Sequence, residues 1–200
     1  MLVCYDGYMT GTDYDTVEFP EPDGWRQWLD AHHADTDGIW LKMYKKATGI
    51  KTITYAEALD AALCYGWIDG QMKKADETAY LQKFTPRRKN SMWSKRNIEY
   101  IARLEAAGLM MPAGRAEVDR AQADGRWDAA YDKPSEMIMP DYFLEALDKN
   151  PKAKAFFATL NKTNTYAIAW RLQTAKTEVT RQRRLEKLIA MLEANQKLHY

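Results

Sequence analysis

Apolar positions along this chain follow two rhythms, a helical one that dominates and a strand-like one confined to the first hundred residues. Trp25, Trp28, Leu29 and His32 fall on one helical stripe, with Pro22 and Asp23 supplying start chemistry. Ile39, Leu41 and Met43 then alternate with Trp40, Lys42 and Tyr44, the period of a strand with one covered face. Tyr55, Ala58, Leu59, Ala62 and Leu63 return to the i, i+3, i+4, i+7, i+8 spacing of a buried helix face. Thr54 and Glu57 form the reciprocal pair expected just before such a helix, so it begins at Tyr55, and Gly66 is suited to the left-handed turn that ends it. A strand follows from Trp67 and continues through 71–74. A polar turn over 75–78 leads into alternation from Tyr80 to Phe84. The expected arrangement is a three-stranded, mainly antiparallel sheet backed by two helices. Residues 1–18 carry Gly7 and Gly11 without clear periodicity and read as a loose arm or an edge strand.

From residue 95 onward the helical rhythm takes over. One helix runs through Ile98, Ile101 and Leu104 to a stop at Gly108, and another starts at Pro112 and ends at Gly125. Trp127, Tyr131 and Pro134 mark a less regular crossing. Helices are then expected over 140–147, 151–160, 164–175 and 178–195, the last with Leu185, Leu188, Ile189 and Leu192 as its apolar stripe. The fold class is α+β, predominantly helical, with an α+β region over 1–133 and a helical carboxy-terminal subdomain over 134–200.

Composition narrows the function classes. The 200 residues are long enough to bury a sizeable core, and 29 basic against 28 acidic side chains leave no global field toward nucleic acid or membrane. Any such attraction has to be local. Cys4 and Cys64 are too few for a disulfide framework and lack metal-ligand spacing, so both are expected as reduced thiols. The first residues have no basic stretch, and the apolar run stops at Tyr5, which gives the expectation of a cytoplasmic protein without a membrane span.

Three stretches carry candidate chemistry. Tyr65, Trp67 and Asp69 crowd aromatic and anionic groups between Gly66 and Gly70 at the end of the capped helix. From Lys83 to Arg96 six basic residues occur without an acid, in a loop leading to a helix start, where Arg87 and Arg88 are candidate anion clamps and Trp93 a stacking wall. The third stretch runs from Trp170 to Arg184. Thr177 is placed to cap the last helix, Lys176 sits at the elbow, and Arg181 and Arg184 stand one turn apart, a face for an acidic protein partner. No nucleic-acid motif accompanies these basic runs, and no phosphate loop, dinucleotide fingerprint, zinc spacing or nucleophile elbow is present. No cofactor is therefore expected. The main reading is a pocket of Tyr65, Trp67, Asp69, Arg87 and Trp93, with the 170–181 elbow closing one side, that holds a small anionic ligand. The alternatives are an enzyme using Asp60 or Asp69 as base and Cys64 as nucleophile, with His32 as a further base candidate, and an interaction module whose basic faces bind protein or nucleic acid.

Several motifs in register carry a resemblance. Ile-Thr-Tyr-Ala-Glu-Ala-Leu-Asp at 53–60, Cys-Tyr-Gly-Trp-Ile-Asp-Gly at 64–70, Phe-Thr-Pro-Arg-Arg at 84–88, Ser-Met-Trp-Ser-Lys-Arg-Asn at 91–97 and Ala-Lys-Thr-Glu-Val-Thr-Arg-Gln-Arg-Arg at 175–184 together resemble the YdeI/OmpD-associated family, also called OmdA or bacteriocin-protection proteins. The likeness runs from about Trp25 to Asn195. It implies a role in resistance to bacteriocins and cationic antimicrobial peptides or in stress protection, sometimes with a periplasmic setting and a porin partner, and no defined reaction.

Overall fold

The computed structural model describes residues 14–133 and 136–199 and has the expected α+β architecture with a helical carboxy-terminal region. Among the described residues the strands are β1 (Thr16–Glu18), β2 (Ile39–Tyr44), β3 (Trp67–Lys74) and β4 (Ala79–Pro86). The helices are α1 (Pro22–His32), α2 (Tyr55–Cys64), α3 (Lys95–Ala106), α4 (Pro112–Ala123), α5 (Asp141–Asp148), α6 (Pro151–Phe157), α7 (Lys162–Gln173) and α8 (Glu178–Glu193). The chain divides into two compact units, Met1–Trp93 with Asn97–Ala129, and Ser94–Arg96 with Ala130–Tyr200.

In the first unit the sheet has four strands in the order β1-β2-β4-β3, one more than the hydrophobic alternation predicts. The additional strand is the end of the amino-terminal arm. It pairs parallel to β2 with Thr16 opposite Trp40 and Glu18 opposite Lys42, while β2–β4 and β4–β3 are antiparallel. A three-residue strand is too short to show a period, which is why only its edge position was legible. Residues 1–13, including Cys4, lie outside the described residues.

Alternation along β2 sends Ile39, Leu41 and Met43 into a fully buried layer. Trp25 of α1 is the hub of that layer. Its ring lies 5.3 Å from Trp28, 5.7 Å from Phe84, 5.8 Å from Phe19 and 6.3 Å from Trp67, and its indole N–H donates to the Ala58 carbonyl of α2 at 3.0 Å. Burying so large a ring is among the largest single stabilising contributions a core residue makes, about 3–5 kcal/mol by truncation to alanine.

The start of α2 is the predicted reciprocal box. The Glu57 backbone N–H donates to Thr54 Oγ1 at 3.3 Å, and the Glu57 carboxylate accepts from the Thr54 backbone N–H at 2.9 Å. Those bonds, the backbone one first, hold the Glu57 carboxyl below its ordinary pKa. At its other end α2 meets α4 almost without clearance. Cys64 O accepts the Met111 backbone N–H at 3.1 Å, and a Cβ built on Gly114 would stand 2.1 Å from the same oxygen. Gly66 follows at φ +75°, and a Cβ there would meet Glu117 at 2.8 Å. Conformation and space therefore both demand glycine at this elbow.

The second unit is a set of helices around Phe143, Leu147, Ala153, Ile168, Leu172, Leu188 and Leu192. Asn150, Asn161 and Thr177 cap α6, α7 and α8 through their side chains, each accepting the N–H of the residue three positions on. The residues from Thr174 to Thr177 turn the chain between α7 and α8, so the end of α7 and the first half of α8 lie together in a helical hairpin.

Candidate functional site

The aromatic elbow of the first unit is a packed core rather than an open hollow. Trp67 is 1% exposed, wedged edge-on against Trp25 and Trp28, with its indole N–H donated to His33 O at 3.1 Å. Tyr65 is almost as deeply buried and donates to Asp30 at 3.3 Å. Burial first, then the Asp30 charge, pushes its hydroxyl pKa up. Asp69 accepts the Tyr55 hydroxyl at 2.7 Å. Trp93 is also 1% exposed and lies against Trp127 at 4.9 Å, with the Arg87 guanidinium 3.6 Å over its ring. The structure thus brings Arg87 and Trp93 together but buries the stack, and it seats Trp67 among different rings. The expected cavity is corrected for a simple reason: large aromatic residues at strand and helix spacing gain more by filling a core than by walling a hollow. Arg87 Nη1 donates to Met92 O, and Arg126, which the sequence reading passed over, donates to Ser91 O at 2.8 Å, so two buried guanidinium groups brace this loop. Arg88 is exposed on the turn that Ser91 closes.

The catalytic alternative loses its nucleophile. Cys64 is buried, and burial pushes its thiol up to about 11, the reverse of what a nucleophile needs. Asp60 pairs with Arg103 at 2.6 Å. His32 is partly exposed, with Asp35 3.7 Å away and Trp28 5.0 Å from its ring, a surface arrangement. A Cys4→Ser protein is therefore expected to react with a thiol reagent at pH 8 only as fast as it unfolds. Reaction at the rate of a free thiol would refute the burial of Cys64. Among the described residues no group of three or more His, Cys, Asp or Glu is placed to hold a metal, and no helix is long and apolar enough to cross a membrane.

A hollow does exist in the second unit, and of the residues singled out from the sequence it contains Trp170, Arg184 and Leu188. The cavity has a volume of about 560 Å³, is partly open to solvent, and lies between the end of α7 and the stretch 183–191 of α8. Its apolar wall is Trp170, Leu188, Met191 and Leu198, and its polar wall is Arg171, Arg183, Arg184 and Lys187. No carboxylate lines it, and none of the four cations forms an ion pair among the described residues. The size is that of a small-molecule site.

The four cations are not equivalent. Arg184 Nη1 donates to the Arg171 carbonyl in the last turn of α7 at 2.5 Å, where positive charge is favoured, and to the Thr174 hydroxyl at 3.2 Å. Arg171 reaches back along its own helix to Ala167 O at 3.4 Å. Arg183 and Lys187, one helical turn apart and exposed, make no hydrogen bond among the described residues. Like charges at that spacing on one helix oppose each other by a few tenths of a kcal/mol.

Trp170 is held edge-on to Tyr131 at 6.0 Å, and Leu198 is brought in by the chain end. Asn164, 1% exposed, accepts the Leu198 and His199 N–H groups at 3.1 and 2.9 Å and donates to Asn161 Oδ1 and His199 O at 3.0 and 3.1 Å. Asn164→Leu keeps the volume but removes all four bonds. It is expected to lower the stability of this unit by roughly 1–3 kcal/mol and to raise hydrogen exchange at the Leu198 and His199 amides. Unchanged exchange would mean that the segment is held by something else. Lys176 stays at the exposed elbow, and Arg181 turns to Glu178 and to the face of Tyr142 at 5.5 Å, so neither lines the hollow. The sequence signal that finds the lining residues is the i, i+4 ladder of 183, 187 and 191 beside Trp170. Leu198 has no local signal.

The chain thus pairs an α+β unit with a helical unit that carries a cationic, aromatic-walled hollow. Residues 17–117, half of the chain, match the family described as Domain of unknown function (DUF8412), and the chain belongs to that family. Residues 136–195, which include most of the hollow, match the OmdA model, described as Bacteriocin-protection, YdeI or OmpD-Associated. The OmdA likeness is thus carried by the helical unit, and the motifs at 53–97 fall within the other match. No curated protein and no solved structure matches the chain.

Proposed function

We propose that this protein serves bacteriocin or antimicrobial-peptide protection, or a related stress response, as a binding protein whose OmdA unit holds a small organic anion in the hollow between α7 and α8. The observation that carries the reading is the lining: four cationic side chains and no acid, facing Trp170 and three aliphatic side chains. The ligand has two parts. A carboxylate or phosphate meets Arg183 and Lys187, and a planar or aliphatic body lies against Trp170, Leu188 and Met191. The sign of the hollow argues against direct sequestration there of a cationic peptide, because like charges in a partly enclosed site repel. Protection then runs through recognition of an anion, not through capture of the toxic peptide. Calorimetric titration of the full chain with phenyl phosphate, benzoate and phenol tests the reading. Both anions are expected to bind more tightly than phenol, phenyl phosphate most tightly. Equal affinity for phenol, or no heat from any of the three, would overturn it.

A further inference from the structure

The sheet of the first unit has a second face, and its side chains follow a different pattern from the buried one. Trp40, Lys42 and Tyr44 of β2 point opposite to Ile39, Leu41 and Met43, and the registers put Lys83 beside Trp40 and Leu81 beside both Lys42 and Lys73. Unlike the fully buried inner row, these outer residues remain in part accessible to solvent. Each ring on this face is met by an ammonium group. Lys73 Nζ is 4.0 Å and Lys83 Nζ 6.0 Å from the Trp40 ring centroid, Lys83 Nζ is 4.1 Å from that of Tyr14, and Lys42 Nζ is 4.7 Å from that of Tyr44. The carboxylate joined to this row is Glu18, 3.6 Å from Lys42 and hydrogen-bonded to the Tyr44 hydroxyl. Lys73 and Lys83 have no ion pair among the described residues.

We propose that this outer sheet face binds single-stranded nucleic acid. Its chemistry alternates flat aromatic rings with unpaired ammonium groups, which is what unstacked bases joined by phosphates require: ring faces for the bases, cations for the backbone. Lysine stems are flexible, so Lys73 and Lys83 swing off Trp40 and Tyr14 to the phosphates as bases take their place on the rings. Duplex fits poorly, since its bases are already stacked and the sheet offers no helix or loop to enter a groove. An acidic protein surface would find the charges but gain little from the rings, because the aliphatic side chains in the outer rows of β2 and β4 are Leu81 and the small, buried Ala79.

The test is fluorescence anisotropy of labelled oligo(U) and oligo(dT), about 12 nucleotides long, with the full chain at about 50 and about 300 mM salt. Single strands are expected to bind more tightly than a duplex of the same length. Trp40→Ala is expected to weaken binding roughly tenfold through loss of a stacking face. Lys73→Gln/Lys83→Gln is expected to weaken it about as much and to reduce the salt slope by about 1.4 units, the loss of two phosphate contacts. Circular dichroism of the lysine double variant verifies that it folds. Arg183→Gln/Lys187→Gln separates the two sites, because it leaves oligonucleotide affinity unchanged if the sheet is the reader. No binding at about 100 µM protein, equal binding of duplex, displacement by polyglutamate with no effect of Trp40→Ala, or loss of binding only in the Arg183/Lys187 variant would each overturn the proposal.

Discussion

Replacing Arg183 and Lys187 together by glutamine is expected to lower the affinity for phenyl phosphate about 30-fold, with little change in melting temperature. These two cations alone among the four in the hollow are uncommitted to the protein's own carbonyls, so they are the donors left for a ligand. A charge-assisted hydrogen bond at a partly open, salt-screened site contributes roughly 1 kcal/mol, and two such losses correspond to the stated ratio. Stability should hold or rise slightly, since the substitution removes repulsion along α8. Arg184→Gln gives the opposite profile. It leaves the Arg171 carbonyl and the Thr174 hydroxyl without this donor and destabilises the hairpin, and it weakens binding only as the hollow loosens. Calorimetry paired with thermal melts distinguishes the two. A double variant that binds phenyl phosphate as the unmodified chain does would remove Arg183 and Lys187 from the site.

Gly114→Ala is expected to destabilise the first unit by roughly 3 kcal/mol or more, a fall in melting temperature of more than about 10 °C. Helix propensity alone argues the other way, because alanine in a helix interior is favoured over glycine by about 1 kcal/mol. Contact geometry decides the sign. The added methyl group would stand 2.1 Å from Cys64 O and 2.8 Å from Leu63 O, both backbone atoms that no rotamer change moves aside. To make room, α4 has to lift off the end of α2, which also breaks the bond from Met111 N to Cys64 O. A melting temperature equal to or above that of the unmodified chain would show that this helix contact is looser than described.

The local grammar of the fold was legible because each signal has a local cause. Thr54 and Glu57 announce the start of α2, Thr177 announces that of α8, and the alternation from Ile39 to Tyr44 fixes which face of β2 is buried. What escaped the sequence depends on contacts distant along the chain. Thr16–Glu18 becomes a strand only because β2 offers its edge. Trp67 and Trp93 carry the same apolar rings whether they wall a cavity or fill a core, and Trp25 and Trp127 decide the matter in favour of the core. In the helical unit Trp170 and the basic run were visible as chemistry, but the hollow also needs Leu198, which Asn164 fastens from 34 positions away in sequence.

The same contrast supplies the decisive measurement. The chain has seven tryptophans, each with a separate indole N–H signal in a nitrogen-15 correlation spectrum, and phenyl phosphate is titrated into the labelled protein while all seven are followed. Anion binding between α7 and α8 predicts a saturable shift of the Trp170 signal, with Trp25, Trp67 and Trp93 left in place in their buried layers. A shift confined to Trp67 or Trp93, or a Trp170 signal that stays still at saturation, would contradict it.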